Sequence, residues 1–549
     1  MSGVLVAVPA VPLVAALALV VLQSTAAVAA RIGIIASAVA FAAAAVTLVA
    51  VGVDGSVSVV ATGDDAGAIV GLAADRVGAI LITLTTLVGL IVQSFASRSL
   101  RGDLRARRFH VLALVLTAST TVVAISATGT GFVVGWIATS VVLVALIGHR
   151  APWPPAVAAQ RRTGWSFLIG DSVLVVAMVV TLVLVGDIDL RAVGTSAAAL
   201  DGEQIAGINA LTVVATLLVL AGIARSALVP IHRWLPSTLA APTPVSALLH
   251  AGVINGAGVL LIRFSSVFAS SATAMAVAFA IGMLTALLAT AVMLVRTDVK
   301  GGLVWSTAGQ MGFMVMQLGV GAFAAALFHV VGHAMYKAAM FLGAGGAISA
   351  HQRQQQRPHL GLAARSTLTS WPVRLLVGLI VPLAAFALAL AIVDPHLTAS
   401  ATILIVVFGV LSVGRAANGW MGSTPFRVAT TILTATIGIV VGVFAYVGGI
   451  TVFEHFVVDV VPYDVPAAVG PLWVAATLLG IAVGVAVITL TPGPRGQDLR
   501  RRVYVWLVST GAATPRPVVA PIAPAPRSPK PANAAPTEVA TPVTVGDPS

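Results

Sequence analysis

Apolar stretches of about 20 residues recur along nearly the whole chain, and that recurrence decides what it can fold into. At 1.5 Å rise per residue, a helix of that length spans the hydrocarbon of a bilayer. Such runs lie near 4–24, 30–52, 72–97, 109–127, 130–148, 164–186, 207–230, 243–264, 272–295, 302–320, 322–348, 371–393, 400–417, 428–450 and 467–491, which makes 15. Lipid offers the backbone no hydrogen-bond partner, so these runs must be helices rather than open strands. The expected fold is all-α, a polytopic membrane bundle of about 15 transmembrane helices. Composition closes the soluble alternative: 9% of residues are charged, against about 25% in soluble domains. The first run has no basic leader and no small-residue cleavage site, so it is expected to be retained as a helix. The absence of cysteine excludes disulfides, thiolate zinc sites, cysteine nucleophiles and Cys-ligated iron–sulfur clusters.

Charges in the connections set the expected topology. Basic residues gather in alternate loops: Arg98, Arg101, Arg105, Arg107 and Arg108; Arg150, Arg161 and Arg162; Arg353, Arg357, Arg365 and Arg374; and Arg495, Arg500, Arg501 and Arg502. The loops between are acidic, with Asp54, Asp64 and Asp65, then Asp187, Asp189, Asp201 and Glu203, then Glu454, Asp459 and Asp464. This phase puts the N-terminus outside and the C-terminus in the cytoplasm of a cell-membrane protein. It also accounts for the net charge of +12 without nucleic acid, since no soluble basic face with aromatics is visible. The expected organisation is a transmembrane domain over 1–495, an interfacial amphipathic segment over 496–510, and a disordered cytoplasmic tail over 511–549, where ten prolines fall.

An ionisable side chain at membrane depth is costly, so each is a candidate for function. Six stand out: Asp171, Arg225, His250, His329, His333 and Lys337. The last three are spaced i, i+4, i+8 in FHVVGHAMYKAAMF, which puts them on one helix face over about 12 Å of axis. Imidazole titrates near neutrality, and a buried lysine can lose its charge. There are only three lysines, Lys300, Lys337 and Lys530, against 27 arginines, and Lys337 alone lies deep in an apolar run. This is the composition of a proton relay; the alternative is a structural polar cluster. A zinc pair from His329 and His333 lacks a third ligand in register and a general-base glutamate, and nothing in the sequence calls for a cofactor. Asp171 needs a cationic partner, and Arg225 is the nearest in kind, either as a structural ion pair or as part of an ion path.

Pro230, Pro236, Pro242 and Pro244 interrupt the seventh and eighth runs, so broken helices are expected near residues 230–244. Broken helices at membrane depth are tolerated where they are buried in protein or line a wet cavity. Arg225 precedes this break and His250 follows it.

The stretches WLPSTLAAPTPVSALLHAG, RTDVKGGLVWSTAGQMGFM and FHVVGHAMYKAAMFL resemble three motifs of the proton-translocating antiporter family. That family includes subunit L of respiratory complex I, the large Mrp antiporter subunits, and the DabB membrane subunits of bacterial inorganic-carbon pumps. The resemblance covers about residues 70–350. Departures from the pattern favour the DabB branch. Ile137 stands where respiratory pumps carry a glutamate after Gly-Trp, Arg225 replaces their lysine, and no lysine lies in any run beyond 350. The long lateral arm of subunit L is not expected either, since the fifteenth run leads into a short amphipathic piece and a tail. The phrase LLHAGVINGAGVLLIRF, with Asn255, is also closer to DabB.

The resemblance implies a subunit that passes H⁺ or Na⁺ down its gradient. That passage would drive a cytoplasmic, zinc-bearing, carbonic-anhydrase-like partner (DabA-like) to convert CO₂ to bicarbonate. The chain by itself would then not be an enzyme. Two alternatives stay open: an ion-translocating subunit of a complex I-like or Mrp-type assembly, and a non-conducting membrane anchor for a soluble subunit.

Overall fold

Apolar sequence between capping residues is what makes the helices here begin and end where they do. In the computed structural model, residues 1–60, 71–151, 153–356, 371–423, 428–462, 465 and 469–512 are described. The first half runs α1 (Ser2–Val21), α2 (Ala26–Asp54), α3 (Arg76–Ser99), α4 (Ala106–Ile125), α5 (Gly129–Ile147) and α6 (Pro154–Val185). A short α7 (Val193–Asp201) then leads to α8 (Ala210–Arg225). The interrupted region contains α9 (Trp234–Ser237), α10 (Thr243–Ala251), α11 (Gly256–Arg263) and α12 (Ser265–Ala269). There follow α13 (Ala272–Val295), α14 (Val299–Gly319), α15 (Phe323–Gln356), α16 (Trp371–Leu375) and α17 (Val381–Val393). The last are α18 (Ala399–Ser423), α19 (Val428–Val457), α20 (Pro471–Leu490) and α21 (Gly493–Gly511). Thr25, Asp75, Thr128, Asn209, Ser271 and Asp298 each accept a first-turn N–H, which fixes six of the starts.

Among the described residues, 13 helices are long and apolar enough to cross a membrane. The chain is therefore a multi-pass, all-α membrane protein. The remaining two expected spans are present as helices of different character. The seventh is cut to the 16 residues of α8, because the chain leaves the helix at Arg225 rather than at Pro230. The tenth is α14, whose Lys300, Ser306, Gln310 and Gln317 lower its hydropathy although it is 21 residues long. The break expected at 230–244 occupies the stretch between α8 and α10, and a second interruption follows at Gly252. Trp371–Val393 is one span with a π-helical segment, Leu376–Ile380, inside it.

Two antiparallel hairpins were not anticipated: β1 (Val57–Val60) with β2 (Gly71–Ala74), and β3 (Gln204–Ile205) with β4 (Ile208–Asn209). They lie in the connections between helices. The tail expected over 511–549 lies, from residue 513 onward, outside the described residues.

The largest cluster of buried apolar side chains draws on α1–α15 and the hairpins. A second, built by Val377, Phe386, Leu404, Ile439 and Val447, packs against Phe279, Met283 and Met316 of α13 and α14. Those two helices approach backbone to backbone. A Cβ at Gly312 would lie 2.5 Å from Ala286 N and 2.6 Å from Gly282 O, the small-residue contact that packs helices in lipid. Acidic and basic connections segregate to opposite ends. Arg76 pairs with Asp459 at 2.5 Å and Arg263 with Asp75 at 2.5 Å at one end. At the other, Arg105 donates to the His149 carbonyl and Arg296 to that of Gly511, both at 3.1 Å.

Candidate functional site

Leaving a helix at its last buried residue puts that residue's side chain among its neighbours, and at the end of α8 that residue is Arg225. It is 3% exposed. Its Nη2 donates to Asp171 Oδ1 at 3.4 Å and to the Trp136 carbonyl at 2.9 Å. The guanidinium carbon lies 4.2 Å from the Trp136 ring centroid and 4.8 Å from that of Phe167. Trp136 also donates its indole N–H to Asp171 Oδ1 at 2.8 Å. A charge held by a carboxylate, a carbonyl and two ring faces is fixed in place. Ile137, the next residue in the chain after Trp136, faces outward and is 36% exposed. The carboxylate opposite Arg225 comes from α6.

The other four residues form a second group. The uninterrupted α15 carries His329, His333 and Lys337, and the His329 and His333 rings stack with centroids 5.8 Å apart. His333 Nε2 donates to the His250 carbonyl at 3.1 Å, which leaves its Nδ1 as the buried, unpartnered nitrogen. That carbonyl is near the end of α10, just before the interruption at Gly252. The His250 ring stacks on Phe341 at 4.3 Å, and neither of its nitrogens has a partner. Lys337 is wholly buried; its Nζ donates to Ser306 Oγ at 2.5 Å and to the Leu303 carbonyl at 3.3 Å. Among the described residues no carboxylate pairs with it, so no ion pair fixes its charge.

Beside the first group lies a cavity of about 70 Å³ lined by Trp136, Arg225, Asn255, Leu248, Val253 and Val330, among others. At about 10–15 Å³ of such volume per molecule, it has room for several waters. Arg225 Nε and Asn255 Oδ1 are buried without partners, the kind of group that waters satisfy. Sequence reasoning missed Trp136, Ser306 and Lys300. Lys300 Nζ donates to the Leu239 and Ala241 carbonyls at 3.1 and 2.9 Å, capturing oxygens at the helix break. Its rarity as one of three lysines was the available signal.

The profile of the family described as NADH:quinone oxidoreductase/Mrp antiporter, transmembrane region, matches residues 129–414. The probable inorganic carbon transporter subunit DabB1 of Halothiobacillus neapolitanus is 33% identical over 384 residues, 67% of each chain. The probable inorganic carbon transporter subunit DabB of Bacillus subtilis is 36% identical over 267 residues, 48% of this chain and 52% of that one. NADH-quinone oxidoreductase subunit L of Escherichia coli is 33% identical over 276 residues, 50% of this chain and 44% of that one. The match thus spans about half the length of the last two relatives. In fold, the chain is similar to one in the Mrp complex from Dietzia sp. DQ12-45-1b, with a TM-score of 0.58 and 22% identity over 92% of this chain and 60% of that one. A chain of the archaeal membrane-bound sulfane sulfur reductase gives 0.57 at 18% identity, covering 93% of this chain and 100% of that one.

Proposed function

The chain belongs to the NADH:quinone oxidoreductase/Mrp antiporter membrane family, and from that premise we propose that it is the membrane subunit of an energy-coupled inorganic-carbon pump. It conducts H⁺, or Na⁺, down a gradient and so drives a cytoplasmic partner. The observation that carries this reading is the polar row His329–His333–Lys337, joined at His333 to His250 inside an otherwise apolar bundle. Such a row is costly to bury and is retained where charge must move. Among the described residues Lys337 hydrogen-bonds a hydroxyl and a carbonyl and no carboxylate, so it can give up and regain a proton. Arg225, paired with Asp171, supplies a fixed positive charge elsewhere in the bundle.

The carbon chemistry belongs to the partner in this reading. A carbonic-anhydrase-like subunit supplies zinc and adds water to CO₂, giving bicarbonate and a proton. The conducting subunit makes that addition one-directional. The basic connections and α21 face the cytoplasm, where α21, with Arg500–Arg502 beside Tyr504 and Trp506, lies along the membrane surface.

The test is growth in air of a carbonic-anhydrase-deficient host. Chain and soluble partner together should restore growth, and an uncoupler should abolish carbon uptake. Rescue by the soluble subunit alone would make this chain an anchor. Uptake insensitive to the uncoupler would contradict ion coupling.

A further inference from the structure

A second cavity, of about 200 Å³, opens at the acidic end, where the start of α15 meets the end of α19 and the link from α17 to α18. Its lining includes Ala325, His396, Thr398, Glu454, His455 and Val458. None of these was a candidate on sequence grounds. Glu454 is half-buried, and its Oε2 accepts the backbone N–H of His396 at 3.1 Å. The His396 and His455 rings lie edge to face with centroids 6.3 Å apart.

The position of Ala325 links this cavity to the interior. It is four residues before His329, so Ala325, His329, His333 and Lys337 are successive members of one row on α15. One helical turn, about 5.4 Å, separates the cavity wall from the first imidazole. His329 Nε2 is buried there without a hydrogen-bond partner. The side of α14 next to it carries Gln317, 0% exposed, whose side-chain amide meets the Tyr446 hydroxyl of α19. Phe313, one turn along from Gln317, has its ring centroid 5.6 Å from that of His329. Phe453, the neighbour of Glu454 in the chain, packs on Phe328, the neighbour of His329, at 5.2 Å. Buried polar groups without protein partners call for water. His329 Nε2 is such a group, one turn in from the cavity wall.

We propose that this cavity is the mouth through which protons reach the α15 row from the acidic end, with Glu454 as the group that collects them. The proposal rests on the conducting reading above and adds the entry point. The chemistry favours protons over Na⁺. A carboxylate and two imidazoles exchange protons, whereas a hard cation needs several oxygen ligands, and no group of three or more acidic or imidazole side chains among the described residues is placed to hold a metal ion. The proton steps from the Glu454 carboxyl through cavity water to His329 Nε2, then along His333 to Lys337.

The experiment is dye-monitored proton flux under an imposed pH gradient, using the full chain with its co-purifying subunits in sealed vesicles of each orientation. Glu454→Gln should lower flux about a hundredfold, the lower end of the scale for loss of a proton-transfer group, with Glu454→Asp retaining more. Because the chain has no cysteine, Val458→Cys can be modified alone with a bulky impermeant thiol reagent, and Ala324→Cys offers a second position. Flux measured before and after labelling should collapse when the reagent reaches the acidic end and persist when it reaches only the basic end. Unchanged flux both in Glu454→Gln and after labelling, with Lys337→Ala inactive, would overturn the mouth and leave the conducting reading intact. Wild-type flux in Lys337→Ala would overturn the conducting reading and the mouth with it.

Discussion

Trp136 donates its indole N–H to Asp171 at 2.8 Å, so the carboxylate that neutralises Arg225 is oriented by the residue whose ring covers the guanidinium. Three helices, α5, α6 and α8, are tied at this point. Each partner is buried, so the contribution of each is exposed by removing the others.

Arg225→Ala leaves Asp171 uncompensated and should destabilise the protein by about 3–5 kcal/mol, the range for breaking a buried pair. The double change Arg225→Ala with Asp171→Ala should cost less than Arg225→Ala alone. Trp136→Phe keeps an aromatic ring and should cost about 1.5–3 kcal/mol, as for a hydrogen bond to a charged group. Thermal unfolding in detergent measures all three, and additive losses in the double variant would contradict pairing.

Asp75 does two things: it caps α3 by accepting from Gly78 N at 2.7 Å, and it pairs with Arg263 at 2.5 Å. Asp75→Asn keeps a good cap but leaves Arg263, whose side chain is 2% exposed, without its counter-charge. It should destabilise by about 3 kcal/mol or more, and adding Arg263→Met should recover most of that. The comparison is made by melting temperature across the four-member cycle.

Gly312 and Gly302 share α14 but not an environment. A Cβ at Gly312 meets the backbone of α13, whereas at Gly302 nothing lies within 4 Å. Gly312→Ala should cost about 1–3 kcal/mol or more through overpacking and lower the folded yield. Gly302→Ala should be neutral or slightly stabilising.

Orientation is tested by single cysteines labelled on intact cells with an impermeant reagent. Both Arg101 and Asp201 are exposed in the structure. Loop charge predicts labelling at Asp201→Cys and none at Arg101→Cys; the reverse would invert the protein in the membrane.

The sequence made the helical bundle legible because a lipid-spanning helix needs length and apolarity, both visible in any window. It made the pairing of Asp171 with Arg225 legible because a buried charge demands an opposite one. Trp136 was not legible, since a tryptophan in an apolar run carries no mark of the carboxylate it will meet. Lys300 read as a loop charge, and only the fold brings its ammonium to the carbonyls of Leu239 and Ala241. Glu454 read as one of the acidic loop charges that set the topology, and nothing in the sequence joined it to His396, 58 positions away. The hairpins escaped notice because strands of two and four residues are too short for alternation to stand out.

The central claim is that Lys337 cycles between charged and neutral forms as ions pass. Lys337→Arg keeps the positive charge and most of the volume, but arginine does not release its proton. In a carbonic-anhydrase-deficient host carrying the soluble partner, growth in air measures the consequence directly. Lys337→Arg should insert normally, hold its partner and fail to support growth, while alanine at His329 or His333 should slow growth without ending it. Normal growth of the Lys337→Arg strain would contradict the account, because a fixed charge would then suffice and α15 would be no proton path.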